Sequence, residues 1–383
     1  MSEVYIIAAV RTPIGVGKPQ AGALFPIAPV DLAALVLCEA TRRGGVDPAQ
    51  VEDVILGCVT PVDDQGANIA RLAVLQAGIP VGVPAVTLNR MCGSSQQAIH
   101  FAAQAILAGD MDLVLAGGIE MMSHQALGTD YPKSWPADFP FALVHQGTSA
   151  EMMADRWHLT REALDDFAFR SHERAGQAIQ SGAARGPIVP VPVPDGAAGK
   201  RMVDRDQGVR IPPDRQKMRA LAPAFKPDGV ITAGNSSQVS DGAAAVLLAS
   251  ERAVRDHGLK PLARLVVRVV VGSDPVLMLD GPIPATRTAL ARAGLTIDVI
   301  DSVEINEAFA SVVLAWQAEL HPDPDRVNPD GGAIAHGHPL GATGAILMAK
   351  LVDRLQRTGG RYGMQTMCEG GGMANATVIE RLD

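Results

Sequence analysis

Apolar residues fall along this chain in two alternating rhythms: short runs of strand length and longer stretches at helical spacing. That alternation predicts an α/β protein. VYIIAAV (4–10), VEDVILGCV (51–59) and MDLVLAGG (111–118) are strand-like, and DLAALVLCEATRRGG (31–45) reads as a helix closed by glycine. In NRMCGSSQQAIHFAA (89–103) the pattern switches from a polar turn to a helix. Ser94 or Ser95 is the expected N-cap, and Ala98, Ile99, Ala102, Ala103 and Ile106 form the apolar stripe.

The pattern also repeats. GVDPAQVEDVILG (45–57) aligns without gaps on GLTIDVIDSVEIN (294–306), pairing Val46 with Leu295, Val51 with Ile300, Glu52 with Asp301, Val54 with Val303 and Leu56 with Ile305. Each copy follows a helix ending in Arg-x-Gly, at Arg43 to Gly45 and at Arg292 to Gly294. Both parts then offer a Gly/Ser/Thr-rich turn, a helix and a strand ending in glycines, at 92–118 and at 337–372. Matches in the same order predict a duplicated α/β fold. Residues 120–240 break the repeat. They hold Trp135, Trp157, a helix in TREALDDFAFRSHERAGQAIQSG capped by Thr160, and the proline-broken GPIVPVPVPDG. With apolar residues of its own, this stretch reads as an inserted lobe.

Composition narrows the function classes. A length of 383 residues exceeds one simple core, and 47% hydrophobic with 4% aromatic residues and 39 glycines describes close packing of small side chains. No apolar run reaches the length of a membrane span, and the first residues lack the pattern of a signal peptide. A formal charge of −8 argues against general nucleic-acid binding. Residues 200–226 nevertheless carry eight Lys/Arg against three Asp, either a solvated loop or a seat for a polyanionic ligand. Cys38, Cys58, Cys92 and Cys368 show no C-x-x-C spacing, which suits free thiols in a reducing cytoplasm. Cys38 and Cys58 have the spacing of core residues. His336 and His338 lack a neighbouring carboxylate or cysteine cluster, so no metal site is expected.

Cys92 lies just outside a helix N-terminus, where free N–H groups and the helix dipole favour a thiolate of lowered pKa. A free cysteine is equally a small buried core residue. Three further stretches bear on the choice. EINEAFA (304–310) puts Asn306 and Glu307 at a strand end. GGAIAHGHPLGATGA (331–345) puts His338 where the first repeat has Cys92. MCEGGGMANA (367–376) puts Cys368 before three glycines. In a twofold-related pair of halves these ends meet. His338 can then take the proton of Cys92, glycine-rich backbone can hold an oxyanion, and Cys368 can move a proton at carbon. Two thiols, an imidazole and a carboxamide suit carbon–carbon bond formation or cleavage between thioesters better than hydrolysis.

In this combination the chain resembles the thiolase family, acyl-CoA:acetyl-CoA C-acyltransferases. The resemblance runs from AAVRTPIG (8–15) through NRMCGSS, TAGNSSQVSDGAAA (232–245), GPIPATRTAL (281–290), NEAFA and GHPLGATG to CEGGGM. It implies two duplicated βαβαβαββ halves in a five-layer α-β-α-β-α core. The halves would span 1–119, completed by 241–259, and 260–383, with 120–240 as a loop domain over the CoA site. It further implies Cys92 as the acylated nucleophile, His338 as its base and Cys368 as the thiol acting on the acetyl carbon. Asn306 would hold an oxyanion-hole water, and the N–H groups of Cys92 and Gly370 would form a second oxyanion hole. Arg210, Met218, Phe225, Ser237, His145, Met278 and Phe309 would contact CoA or the acyl group. The expected enzyme carries out reversible thiolysis or Claisen condensation, as in fatty-acid β-oxidation. It would be a cytoplasmic homodimer or homotetramer without metal or cofactor, coenzyme A being substrate or product.

Gln146, where a methionine often borders the acyl pocket, His336, where leucine is common, and Glu369, where an aliphatic residue is frequent, depart from the short-chain pattern. They leave acyl-chain preference open, and His336 is either a packed imidazole or a proton relay. The alternatives are a catalytically silent CoA- or lipid-binding protein of the same fold, a ketoacyl-synthase-type condensing enzyme, and a cysteine hydrolase.

Overall fold

The computed structural model describes residues 3–196 and 199–382. The first half runs β1 (Val4–Arg11), β2 (Gly15–Val16), α1 (Pro29–Gly44), β3 (Asp53–Gly57), α2 (Ile69–Gln76), β4 (Ala85–Leu88), α3 (Ser94–Ala108) and β5 (Leu113–Met121). Then come α4 (Gln146–Arg156), α5 (Arg161–Ser181), the hairpin β6 (Val191–Pro194) and β7 (Lys200–Val203), and α6 (Arg215–Arg219). Next are β8 (Ser240–Ser250), α7 (Glu251–His257), β9 (Ala263–Gly272), α8 (Pro282–Ala293), β10 (Ser302–Ile305) and α9 (Ala310–Leu320). The chain finishes with α10 (Ala333–His336), α11 (Thr343–Thr358), β11 (Tyr362–Glu369) and β12 (Met373–Arg381).

Strand order exposes the duplication. The path β4-β3-β5-β8-β1 is matched by β10-β11-β12-β9, and the two join where Tyr5 and Ile6 pair with Arg264 and Ala263. The pairing senses agree: β3 with β5 and β10 with β11 are parallel, while β5 with β8 and β11 with β12 are antiparallel. Where the first half has β4, the second keeps only a parallel bridge from Val303 to Val327. Helices α1 and α8 end alike, at Gly45 (φ 67°, ψ 30°) and Gly294 (φ 66°, ψ 30°). That left-handed cap is open to glycine at little cost.

Helices α1 and α2 cover the outer face of the first half's strands, α8 and α9 the outer face of the second half's, and α3 and α11 lie between the two sets. The layers number five. Residues Leu113–Met121 and Ser240–Ser250 are buried throughout, as strands covered on both faces must be. The central helices touch near their N-termini. Ser95 Oγ accepts from Ala345 N (2.9 Å), and a Cβ on Gly344 would stand 2.3 Å from Gln96 N. That contact brings the turns before α3 and α11, with Cys92 and His338, to one side of the molecule.

The apolar residues of 120–240 do not close on themselves. Val189, Val191, Val193 and Val203 complete the first half's outer core, whereas Ala150, Met153, Leu164 and Phe167 join the second's. Cys38, expected in the core, is exposed on α1, while Cys58 is buried.

Candidate active site

Cys92 sits in a turn tied down by its neighbours. Asn89 Oδ1 accepts from Met91 N (2.7 Å), and Ser94 Oγ accepts from Arg90 N (2.9 Å) while donating to Met91 O (2.6 Å). Ser94 is therefore spent inside the turn and Ser95 on α11, so the N-cap is Gly93 and not either serine. These bonds hold Met91 in the left-handed region, at φ 46°, a strained conformation of the kind that collects at functional turns. The thiol packs against Val59, Met122, Leu340 and Met367, residues drawn from both halves.

The expected low thiol pKa is overturned. Burial and the adjacent Glu369 push Cys92 up to about 12, although the N–H groups of Gly370 and of Cys92 itself act in the opposite sense. Cys368 is raised well above the ordinary thiol value by burial and by its closeness to Cys92. At rest the pair is two neutral thiols beneath two backbone donors.

His338 follows Gly337, whose φ of 115° and 2.2 Å approach of a would-be Cβ to Ser240 Oγ leave room only for glycine. Its backbone N–H lies 3.1 Å from both Gln238 O and Ser240 Oγ. Thr343 Oγ1 gives its proton to Pro339 O (2.8 Å), so its 2.6 Å contact with His338 Nδ1 requires an N–H on the ring. Nε2 then carries the lone pair and receives Asn306 Nδ2 at 3.3 Å. Burial lowers the imidazole to about 4, so it is neutral and available as a base.

Two carboxylates support the site: Glu307, marked in the sequence at a strand end beside Asn306, and Glu120, which the sequence pattern did not single out. Glu120 on β5 accepts from Val59 N (2.8 Å), Thr60 N (3.1 Å), Gln65 Nε2 (3.1 Å) and Gly341 N (2.8 Å), tying the His338 turn to the first half. A lone acid in the apolar run LVLAGGIEM was its only signal. Glu307 accepts from Ser171 Oγ (2.7 Å), Asn328 Nδ2 (2.9 Å) and Ile334 N (3.1 Å), fixing the segment that carries Asn306.

Of the expected binding residues, Arg210 and Met218 line one cavity of about 480 Å³ with Pro213, Lys217, Leu221 and Gly234. Outside that cavity's lining, His145 stacks on Phe225 (centroids 5.3 Å) and Phe225 meets Phe309 edge-on (6.0 Å). Ser237 N binds Ala308 O (2.9 Å), which places it beside Phe309. Met278 lies apart from the 480 Å³ cavity, buried in the second half's core. The basic segment is less free than its sequence suggests: Arg215, Arg219 and Lys226 pair with Asp166, Glu162 and Asp155. Among the described residues Arg210 has no carboxylate partner.

The departures also find places. Gln146 Nε2 would lie 3.4 Å from a Cβ on Gly370, at the rim beside Met91. His336 has both nitrogens engaged, Nδ1 with Asp206 Oδ2 (2.7 Å) and Nε2 with Asp330 O (2.9 Å), which is the packed role. Glu369 is buried against Gly93.

Comparison with known proteins shows the family. The family described as Thiolase, N-terminal domain matches residues 4–252, and Thiolase, C-terminal domain matches 259–381. The chain is 49% identical to the steroid 3-ketoacyl-CoA thiolase FadA6 of Mycobacterium tuberculosis, covering 100% of this chain and 95% of that one. It is 42% identical to a 3-ketoacyl-CoA thiolase of Photorhabdus laumondii, with both chains covered in full. The crystal structure of the Bacillus anthracis acetyl-CoA acetyltransferase superposes with a TM-score of 0.92 at 40% identity, covering 100% of this chain and 99% of that one.

Proposed function

The chain belongs to the thiolase family, acyltransferases of 3-ketoacyl-CoA, and from that premise we propose that Cys92 is the residue acylated in a ping-pong reaction. His338 Nε2 takes the Cys92 proton, and the sulfur adds to the C3 carbonyl of the 3-ketoacyl-CoA. The C2–C3 bond then breaks, and its electron pair leaves on C2 as the enolate of acetyl-CoA, which takes the Cys368 proton. Free CoA next gives its thiol proton to the Cys368 thiolate and attacks acyl-Cys92, releasing the shortened acyl-CoA while protonated His338 returns its proton to the Cys92 sulfur. Read backward, the same steps make a Claisen condensation. The N–H groups of Cys92 and Gly370 hold the oxyanion on the acylated carbon, and His338 with Asn306 faces the enolate oxygen.

The observation carrying this reading is the convergence on one buried sulfur of two backbone donors and a second thiol, contributed by opposite halves. Arg210 and Met218 are assigned to the nucleotide of CoA, and His145, Phe225, Ser237 and Phe309 to its pantetheine arm. Met278 is assigned to CoA or the acyl group by the resemblance alone. CoA is substrate and product, and no further cofactor is invoked. Exposed Val81 and Val86 at the β4 edge, with exposed Trp135, Phe139 and Phe141, support a homodimer or homotetramer. Among the described residues no helix is long and apolar enough to cross a membrane, and we place the enzyme in the cytoplasm.

A short pulse of acetyl-CoA followed by peptide mapping should label Cys92 ahead of the other three thiols. Cys368→Ser should still be acylated yet lose most carbon–carbon cleavage of acetoacetyl-CoA. Label centred on another cysteine, or a folded Cys368→Ser that takes no acyl group, would sink these assignments.

A further inference from the structure

The reaction above gives Glu369 no part, yet few carboxyls are placed so pointedly. It is the last residue of β11, fully buried, and a Cβ on Gly93 would stand 1.9 Å from its Oε1 and 2.5 Å from its Cδ. Gly93 is the N-cap of α3 and follows Cys92 directly. Among the described residues neither oxygen of Glu369 has a hydrogen-bond partner. A buried carboxylate without donors is an expensive anion, and the neighbouring sulfur must itself become an anion to react.

The charges facing Glu369 are few. Arg90, on the turn before α3, is the cation that acts on it, although the two form no ion pair. Cys368 precedes it on its own strand, and its partner on β12 is Met373, which brings no charge. Cys92 feels Glu369 as its strongest charged neighbour, with Glu120 a weaker one, and Tyr131 from the loop after β5 is close enough to feel Cys92 in turn.

We propose that Glu369 is a positioning residue that gates the nucleophile. Its carboxyl and the Cys92 thiol share at most one negative charge, so the thiolate forms only while Glu369 keeps its proton. Burial pushes the Glu369 carboxyl up to about 8, with Arg90 acting against the rise. Near neutral pH Glu369 is therefore an uncharged acid and His338 can draw the proton from Cys92. At higher pH Glu369 ionises and opposes the thiolate. The inference rests on Cys92 being the nucleophile.

The test is the rate of Cys92 alkylation by iodoacetamide from pH 6 to 10, located by peptide mapping, in the wild-type enzyme, Glu369→Gln and Glu369→Leu. Both variants remove the titration, and the second serves if the first fails to fold. The rates should agree near pH 6.5 and diverge above about 8, the wild type becoming slower than either variant by about tenfold at pH 9.5. The alkaline limb of kcat/KM should move upward in the variants. Cys92 alkylation at a ratio independent of pH would overturn the gating role alone, leaving Glu369 a packing residue. Alkylation centred on a different cysteine would overturn the nucleophile assignment and the gate with it.

Discussion

Removing the Thr343 hydroxyl would leave the Nδ1–H of His338 buried with no acceptor, because that 2.6 Å contact is its hydrogen bond. The loss of an acceptor at a buried donor costs about 1–3 kcal/mol. The imidazole can avoid that cost by moving its proton to Nε2, which destroys the lone pair facing Asn306. Thr343→Val should therefore lower kcat about 10- to 100-fold with little change in KM, measured by acetoacetyl-CoA thiolysis. An unchanged kcat would show that Thr343 does not set the tautomer. At this scale the sequence placed Cys92, His338, Asn306 and Cys368 at adjoining chain ends but misjudged the thiol. A helix N-terminus contributes up to about 2 kcal/mol toward the anion. Raising a thiol from 9.0 to about 12 corresponds to about 4 kcal/mol the other way. Desolvation, reinforced by the Glu369 charge, wins, and burial depth is a tertiary property that no local motif around Cys92 contains.

Two helix N-termini supply the reacting groups, so the closeness of α3 and α11 is itself a catalytic requirement. Gly344 sets that distance: an alanine there would put Cβ 2.3 Å from Gln96 N and 2.7 Å from Gln96 Cβ, contacts that the backbone of a packed helix cannot relieve by rotating a side chain. Gly344→Ala should cost about 1–3 kcal/mol of stability through overpacking, read from urea unfolding. It should also slow Cys92 acylation, since the His338 turn is carried away with α11. A variant of wild-type stability and acylation rate would show that the helices slide freely. The repeat between 45–57 and 294–306 was legible because helix caps and strand starts are local chemistry, and Gly45 and Gly294 share one backbone conformation. The shrinkage of the β4 counterpart to a bridge at Val327 was not legible, since strand pairing depends on a neighbour far along the chain. The valines of the proline-broken stretch read as belonging to a separate lobe for the same reason. Alternation shows that they face inward without showing whose interior they enter.

Across the whole molecule, one buried carboxylate fastens three regions together. Asp206, from the inserted region, accepts Arg11 Nη1 and Nη2 of β1 at 2.7 and 3.0 Å, Ile14 N at 2.8 Å, and meets His336 Nδ1 of the second half at 2.7 Å. His336 lies two residues before His338, so this knot also steadies the turn that carries the base. Burial opposes the Asp206 charge, but Arg11 and His336 outweigh it and hold the carboxyl well below the usual carboxylate range. A folded-state pKa depressed in this way stabilises the native protein above the unfolded value of about 3.9 and ceases to do so as pH falls toward the folded one. Asp206→Asn leaves Arg11 and His336 buried beside a neutral amide, and breaking a buried pair from one side costs about 3–5 kcal/mol. The urea midpoint of Asp206→Asn should therefore lie well below that of the wild type at pH 7 and at pH 5.5, and the gap should narrow below about pH 4 as wild-type Asp206 begins to lose its advantage. Because the knot joins β1, the inserted region and the His338 turn, kcat should fall along with stability at neutral pH. A gap that stayed constant down to pH 3, or a midpoint unchanged at pH 7, would show that the three regions are held together by their apolar contacts alone.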